Sequence, residues 1–167
     1  MKILPKLTSS VALAAAIATL SGCSMSSNDL PEEPTARIMA AKSAAQSAED
    51  VAAGLVPTSE IDSRRQIPTG NLLPCSSGKQ WSGNTTLQLK RQKDSTGLID
   101  TISQRAEKNG FKVDRDTSRA GTPRATLTDA AGVSLLVGVW NDGTVLNIDS
   151  FSMCFSLPEG FSPRPSY

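Results

Sequence analysis

The positions of three cysteines, and the segment before the first, set the strongest constraint on how this chain folds. The 167 residues contain Cys23, Cys75 and Cys154. The segment before the first cysteine has a basic end with two lysines, then the apolar run Val11–Leu20, then small residues. The run is shorter than the roughly 20 residues of a membrane-spanning helix. This order is typical of a secretory signal. We therefore predict that residues 1–22 are a signal peptide and lie outside the fold.

The residues at the end of this segment are Leu20-Ser21-Gly22-Cys23. They resemble the lipobox of bacterial lipoproteins. The resemblance implies a diacylglyceryl group on the sulfur of Cys23, cleavage before Cys23, and acylation of its new amino group by a fatty acid such as palmitate. Two or three acyl chains form a stable anchor, whereas one chain binds a membrane only marginally. The expected location is the extracytoplasmic side of the cell membrane. The alternative is an ordinary signal peptide with a chance cysteine.

Acylation of Cys23 leaves Cys75 and Cys154 as an even pair outside the reducing cytoplasm. We predict a disulfide between them. Chain entropy assigns a bridge over a loop of about 80 residues a stabilisation of about 4–5 kcal/mol. The alternative is two free buried thiols. Because two thiolates without histidine leave a zinc shell half empty, we predict no metal site, and no cofactor is indicated.

Residues 23–74 are predicted to form a tether. It starts with the polar, proline-punctuated Ser24–Pro34 and ends in an irregular connector over residues 58–74. Between them, a helix is predicted at about residues 35–55. Its apolar positions recur at spacings of three and four: Ile38, Ala41, Ala45, Ala48, Ala52 and Leu55. Since alanine buries little surface, three roles stay open: docking on the domain, self-association, or a stalk.

Residues 75–157 carry the pattern of one α+β domain, and residues 158–167 are predicted to be a flexible tail. Alternating residues predict a strand from Trp81 to Lys90, and Asp94 or Ser95 caps a helix. Four further strands are predicted at residues 111–115, 124–128, 133–140 and 144–153. Because the disulfide brings the start of the first strand to the end of the last, we predict the sheet order 2-3-4-5-1. The fold class is thus a five-stranded, mostly antiparallel sheet with one helix on a face, preceded by a helical tether.

Composition excludes several functions. The chain contains no histidine, so Ser-His-Asp and Cys-His catalysis cannot be built. Ser76-Ser77-Gly78-Lys79 matches the Ser-x-x-Lys motif, but the companion motifs of penicillin-recognising enzymes are missing from the sequence. We predict no catalytic residue. A net charge of +1 is far below the footprint of a nucleic-acid-binding protein.

Two groups of residues are candidates for surface binding. Trp81 and Trp140 could form an aromatic surface, although tryptophans at strand ends are more often at the core edge. The basic cluster Lys90, Arg91 and Lys93 could contact anionic lipid headgroups or acidic wall polymers. The alternative for this cluster is a solvated strand end. The expected partners are the membrane, through Cys23, and an envelope protein or a small ligand.

Three short stretches extend the resemblance: Leu73-Pro74-Cys75, then Gln80-Trp81-Ser82-Gly83 with Thr85-Thr86, and Ser152-Met153-Cys154-Phe155. Over roughly residues 72–157 they resemble small actinobacterial cell-surface lipoproteins of uncharacterised function. The resemblance implies surface attachment and one disulfide. The function predicted is a non-catalytic binding or interaction module. A small-ligand carrier is the alternative, and a small envelope hydrolase that uses two carboxylates is the least favoured.

Overall fold

The structure, a computed structural model, describes residues 30–167. Cys23 and the predicted lipobox lie outside the described residues. In chain order there are two α-helices and seven strands: α1 (Pro34–Gly54), β1 (Ile61–Gln66), β2 (Asn71–Cys75), β3 (Gly78–Leu89), α2 (Ser95–Lys108), β4 (Lys112–Thr117), β5 (Pro123–Thr128), β6 (Ser134–Trp140) and β7 (Val145–Phe151). The predicted α+β class is confirmed.

The strands form one sheet whose neighbouring strands are all antiparallel. Its order is β1-β3-β7-β6-β5-β4, and β2 also pairs with β3. β2 pairs with the first part of β3 and β1 with the last part, so the two short strands share one edge of this long strand. The five predicted strands correspond to β3 to β7 and lie in the predicted order. The predicted number was wrong, because the sheet has seven strands.

The two additional strands lie in the segment that was predicted to be an irregular connector. β1 has the sequence IDSRRQ and β2 the sequence NLLPC, and neither alternates polar with apolar residues. Both lie at the edge of the sheet, where most of their side chains are exposed to solvent. Backbone hydrogen bonds to β3 hold them in place, and Pro74 is tolerated because an edge strand leaves N–H groups unpaired. Strands of this kind carry no hydrophobic period.

Both helices cover the same face of the sheet. On that face the strands contribute Leu87, Leu127, Leu135, Val137, Leu146 and Ile148, all fully buried. α1 packs over β3, β7 and β6, whereas α2 packs over β4, β5 and β6. The predicted Asp94 cap is present, since its carboxylate accepts a hydrogen bond from the backbone N–H of Gly97 at 2.7 Å. No helix among residues 30–167 is long and apolar enough to cross a membrane.

The structure places α1 in the domain core rather than in a tether. All six positions of the predicted apolar face are buried, so of the three roles left open for this helix the structure shows docking on the domain. Alanine side chains let the helix backbone approach the sheet closely, so a weakly apolar face still packs well.

One polar residue, Glu49, shares this buried face of α1. Glu49 is 0% exposed, although ionisable residues are the ones least often found in a protein core. It accepts hydrogen bonds from Gln66 at 2.8 Å, from the Thr85 hydroxyl at 2.7 Å and from the Ser150 hydroxyl. The three donors lie on β1, β3 and β7. The carboxylate therefore fixes how α1 sits on three strands.

The C-terminal segment also differs from its prediction as a flexible tail. Tyr167 is buried, and its backbone N–H and C=O both bond to Gly70, at 3.0 and 2.7 Å. Its carbonyl also accepts the indole N–H of Trp81 at 3.3 Å. Trp81 is itself 0% exposed, so the segment closes the core over this indole.

Close packing around Trp81 gives a stability prediction. A Cβ atom at Gly83 would lie 2.1 Å from the indole of Trp81, which requires the ring to move. We expect Gly83→Ala to lower the free energy of unfolding by about 1–3 kcal/mol, the usual cost of over-packing a core. Urea denaturation followed by circular dichroism measures this change. Gly54→Ala is the matched control, because its Cβ meets nothing within 4 Å. Equal stability of the two variants would contradict the packing described.

Candidate binding site on the open face of the sheet

The face of the sheet opposite the helices is polar and partly exposed. Its side chains come from alternate positions of the strands that bury their other residues against α1 and α2. Cross-strand pairing brings Leu136 on β6 next to Asp149 on β7 and Thr126 on β5. Two positions along, Gly138 lies between Asn147 and Arg124. This face is therefore a mixed surface of amides, charges and a few apolar groups.

A groove with a volume of about 140 Å³ lies on this open face. Leu136 and Gly138 form its floor, and Asp149 and Arg124 flank it from the two neighbouring strands. Trp140 closes one end and is 62% exposed. We call this site the Trp140 groove; the remaining lining residues are Ser118, Ala120, Thr122, Pro123 and Val139.

The glycine in the floor gives the groove its shape. Trp140 and Gly138 are two residues apart on one strand, so both face the open side. A Cβ atom at Gly138 would lie 3.5 Å from the indole nitrogen of Trp140. The indole therefore reaches back over the glycine, and the missing side chain leaves the space beside it open. Glycine inside a strand often marks such a close approach.

The β4–β5 loop forms one side of the groove and is held by its own hydrogen bonds. The backbone N–H of Ser118 donates to the carbonyl of Thr122 at 2.9 Å, and the N–H of Thr122 donates to the Ser118 hydroxyl at 3.1 Å. Gly121 takes the positive φ of 80° that this turn requires. The hydroxyls and the apolar surface of the loop are thus held in place beside the floor.

An ion pair fixes the basic side of the groove. The guanidinium of Arg124 donates two hydrogen bonds of 2.6 Å to the carboxylate of Asp116 on β4. Hydrogen bonding to Arg124 holds the pKa of the Asp116 carboxyl below its ordinary value, and the same bonds raise the pKa of Arg124. A glycosidase needs a general acid with a raised pKa. Asp116 has the opposite property, so it is suited to positioning Arg124 rather than to donating a proton.

The acidic side of the groove is held by amides. The carboxylate of Asp149 accepts hydrogen bonds from the side-chain N–H groups of Asn84 and Asn147, each at 2.9 Å. Asn84 also donates to the side-chain oxygen of Asn147 at 2.8 Å. The three residues form a hydrogen-bonded polar cluster next to Leu136. The groove thus has a carboxylate on one side and a guanidinium on the other, each with a fixed orientation.

The two tryptophans named as candidates have different environments. Trp81 is in the core, so its prediction as a surface binding residue was wrong. Its strand continues to Gly78, so Trp81 lies well inside the strand rather than at its end. Trp140 is exposed and belongs to the groove. Of the two aromatic candidates, Trp140 alone lies on the surface.

The basic cluster lies at the same end of the sheet as Trp140 but on another surface. The ammonium of Lys93 lies 3.0 Å from the carboxylate of Glu60, and Lys90 and Arg91 are exposed beside it. The backbone N–H of Lys93 donates to the carbonyl of Gly143 in the β6–β7 turn at 2.8 Å. None of the three basic residues lines the Trp140 groove. Lys93 and Glu60 are both half-exposed, and a surface ion pair of this kind contributes little to stability, which fits a solvated strand end.

The different exposure of the two tryptophans gives an optical prediction. Because Trp140 is 62% exposed and Trp81 is 0% exposed, iodide should quench only the Trp140 part of the fluorescence. We expect Trp140→Phe to remove the quenchable, red-shifted component and to leave a blue emission that iodide does not affect. Steady-state fluorescence with an iodide titration measures both. Strong quenching of the remaining emission would contradict the burial of Trp81.

A second cleft, of about 290 Å³, lies between α2 and the turn that follows α1. Leu55, Val56 and Pro57 line one side, and Leu98 and Arg105 line the other. The guanidinium of Arg105 bridges this cleft by donating to the carbonyl of Leu55. This cleft is larger than the Trp140 groove, and both are smaller than the roughly 300–1,000 Å³ of most ligand pockets. It lies at the surface, where the turn after α1 meets α2.

Sequence patterns did not identify the residues that flank the groove. Arg124 and Asp149 are ordinary polar residues of alternating strands, and only cross-strand pairing brings them to the two sides of β6. Gly138, within the run VSLLVGVW, was the one available signal. Within residues 30–167, no group of three or more acidic or cysteine side chains is arranged to hold a metal ion.

Comparisons with known proteins give little further information. No family model matches the sequence, and no curated protein matches it. Among solved structures, the chain is similar to a DUF4853 family protein from Actinomyces odontolyticus, with 14% sequence identity and a TM-score of 0.41. The similarity covers 76% of this chain and 73% of that one.

Proposed function

We propose that this chain is a lipid-anchored lipoprotein of the cell envelope, whose domain is a non-catalytic binding module. The observation that carries the binding role is the exposed Trp140 at the end of a groove with an apolar floor and two oriented charged groups. Binding sites commonly combine apolar lining with a few fixed polar groups. An exposed, rigid aromatic residue is also the usual anchor of a recognition surface.

The edges of the sheet favour the groove over strand addition as the binding mode. β1 carries the exposed residues Asp62, Arg64 and Arg65. β4, at the other edge, carries Lys112, Asp114 and Arg115, also exposed. Charged residues on edge strands oppose pairing with a further strand. A partner would therefore be recognised through the open face rather than by extending the sheet.

The lipid anchor is supported by the Leu20-Ser21-Gly22-Cys23 sequence and is tested by one substitution. We expect Cys23→Ala to abolish incorporation of labelled palmitate and to release the chain from the membrane fraction. Ser24→Ala, which leaves the lipobox intact, should behave as the unchanged chain. Persistent membrane anchoring of the Cys23→Ala variant would refute this part of the proposal.

In-cell photo-crosslinking tests the binding role. A photoreactive amino acid at Thr122, at the rim of the groove, should capture an envelope component. The same amino acid at Gln104, exposed on α2 and thus on the other side of the molecule, is the matched control and should capture little. Equal capture from the two positions, or none from Thr122, would count against the groove as the binding surface.

A further inference from the structure

The Trp140 groove is the size of one six-membered ring. Its volume is about 140 Å³. An apolar protein cavity of about 150 Å³ holds one benzene molecule, so one ring of a larger ligand fits in the groove.

The polar groups around the groove determine whether an aromatic ring or a sugar ring binds better. Asp149 presents a carboxylate on one side, Arg124 a guanidinium on the other, and the Ser118 hydroxyl belongs to the loop. A phenylalanine, tyrosine or tryptophan side chain has at most one polar atom, so its binding would remove water from the remaining hydrogen-bonding positions of Asp149 and Arg124 without replacing it, which is costly. A sugar ring carries hydroxyls around its edge, which can donate to the carboxylate and accept from the guanidinium.

The remaining surfaces fit the faces of a sugar ring. A pyranose presents C–H groups on its flat faces, and these can rest on the Trp140 indole and on Leu136. Gly138 lets a flat group approach the strand backbone closely. The groove thus offers apolar contact to the face of the ring and charged hydrogen-bonding groups to its edge.

The place where the chain enters the fold limits how the Trp140 end of the groove can be oriented relative to the membrane. Leu30 is buried, and Arg37 donates to the carbonyls of Pro31 and Ser156 at 2.7 and 2.9 Å. The neighbouring residue Phe155 pairs with Lys79. The anchored end of the chain therefore enters the domain beside the Cys75–Cys154 bridge, at the beginning of β3.

The groove lies toward the opposite end of the sheet. Trp140 pairs with Val145, which pairs with Gln88, nine residues beyond Lys79 along β3. At about 3.3 Å per residue, Trp140 and the chain entry beside Lys79 are about 30 Å apart along the strand direction. Only seven residues lead from Cys23 to Leu30, a reach of at most about 25 Å. A domain anchored through Cys23 therefore cannot stand with its Trp140 end on the bilayer, which leaves this end open to the envelope above the lipid.

We infer that the Trp140 groove binds one sugar ring of a cell-envelope polysaccharide, an inference that rests on the binding role and the lipid anchor proposed above. The ring stacks on Trp140, and its hydroxyls bond to Asp149 and Arg124.

The experiment follows Trp140 fluorescence of the purified full-length chain in detergent. The probe is envelope polysaccharide, freed of protein and lipid, from the cells that make the chain. Binding should protect Trp140 from iodide and reduce quenching to the level of the Trp140→Phe variant. Gly138→Val, which fills the floor, and Asp149→Asn, which removes the charge, should each lose this protection. Gln104→Ala should keep it.

The competing ligands are tested in the same assay. N-acetyl-phenylalanine amide represents a protein side chain, and vesicles with anionic headgroups represent the membrane. Protection by either of these, and not by the polysaccharide, would overturn the sugar inference. If whole envelope extract protects Trp140 but the polysaccharide does not, the sugar inference fails and the binding role stands. If neither protects it, both proposals fail.

Discussion

Replacing Cys75 and Cys154 together with alanine should lower the free energy of unfolding by about 4–5 kcal/mol, the loop-entropy value for a bridge of this span. The predicted disulfide is present, and it joins residues 79 positions apart in sequence. It ties the end of β2 to the segment that follows β7. Without it, the unfolded chain gains the freedom that the closed loop had removed.

Urea denaturation, followed by circular dichroism, measures the loss. The unchanged chain under reducing conditions is the matched control, because it removes the same bridge without changing side-chain volume. The double variant and the reduced chain should unfold at similar urea concentrations, well below the oxidised chain. Unfolding of all three at one concentration would show that native packing alone sets the stability.

Replacing Glu49 with alanine should lower the free energy of unfolding by about 2–4 kcal/mol. The substitution leaves the buried hydroxyls of Thr85 and Ser150 without their acceptor, whereas Gln66 keeps its hydrogen bond to the carbonyl of Gln46. Each unsatisfied buried group costs about 1–3 kcal/mol, and hydroxyls that find other acceptors reduce the sum. Glu49→Gln, which keeps one acceptor oxygen, should lose about half as much.

Asp50→Ala is the matched control on the same helix. Asp50 is the next residue and its side chain is 57% exposed, where it pairs with Arg64. Exposed ion pairs contribute about 0–1 kcal/mol, so Asp50→Ala should have nearly the same free energy of unfolding as the unchanged chain. Urea denaturation compares the three variants. Equal stability of Glu49→Ala and Asp50→Ala would show that the buried hydrogen bonds do not hold α1 on the sheet.

Local sequence patterns were sufficient to predict the centre of the fold. The helix after Asp94 has a clear apolar period, and the strand run ending at Trp140 is apolar in its middle. Such local preferences agree with the final structure. The strand order followed from the disulfide, because the bridge placed the first strand beside the last.

The parts that sequence did not predict depend on tertiary contacts. β1 and β2 have no period, because as edge strands they bury little and are held by backbone bonds to β3. The burial of α1 depends on a sheet that fits its alanine face and on the Glu49 acceptor. Tyr167 is ordered by Gly70 and Trp81, which are distant in sequence. The groove is assembled by cross-strand pairing of β5, β6 and β7, which no single stretch encodes.

Co-sedimentation with lipid-extracted cell envelopes tests most directly whether the Trp140 groove is a binding site. The purified full-length chain in detergent is mixed with envelopes that contain no membrane lipid, so the acyl anchor cannot cause pelleting. We expect the unchanged chain and Gln104→Ala to pellet with the envelopes and Trp140→Ala to stay in the supernatant. Pelleting of Trp140→Ala to the same extent as the unchanged chain would contradict a binding module built on this groove.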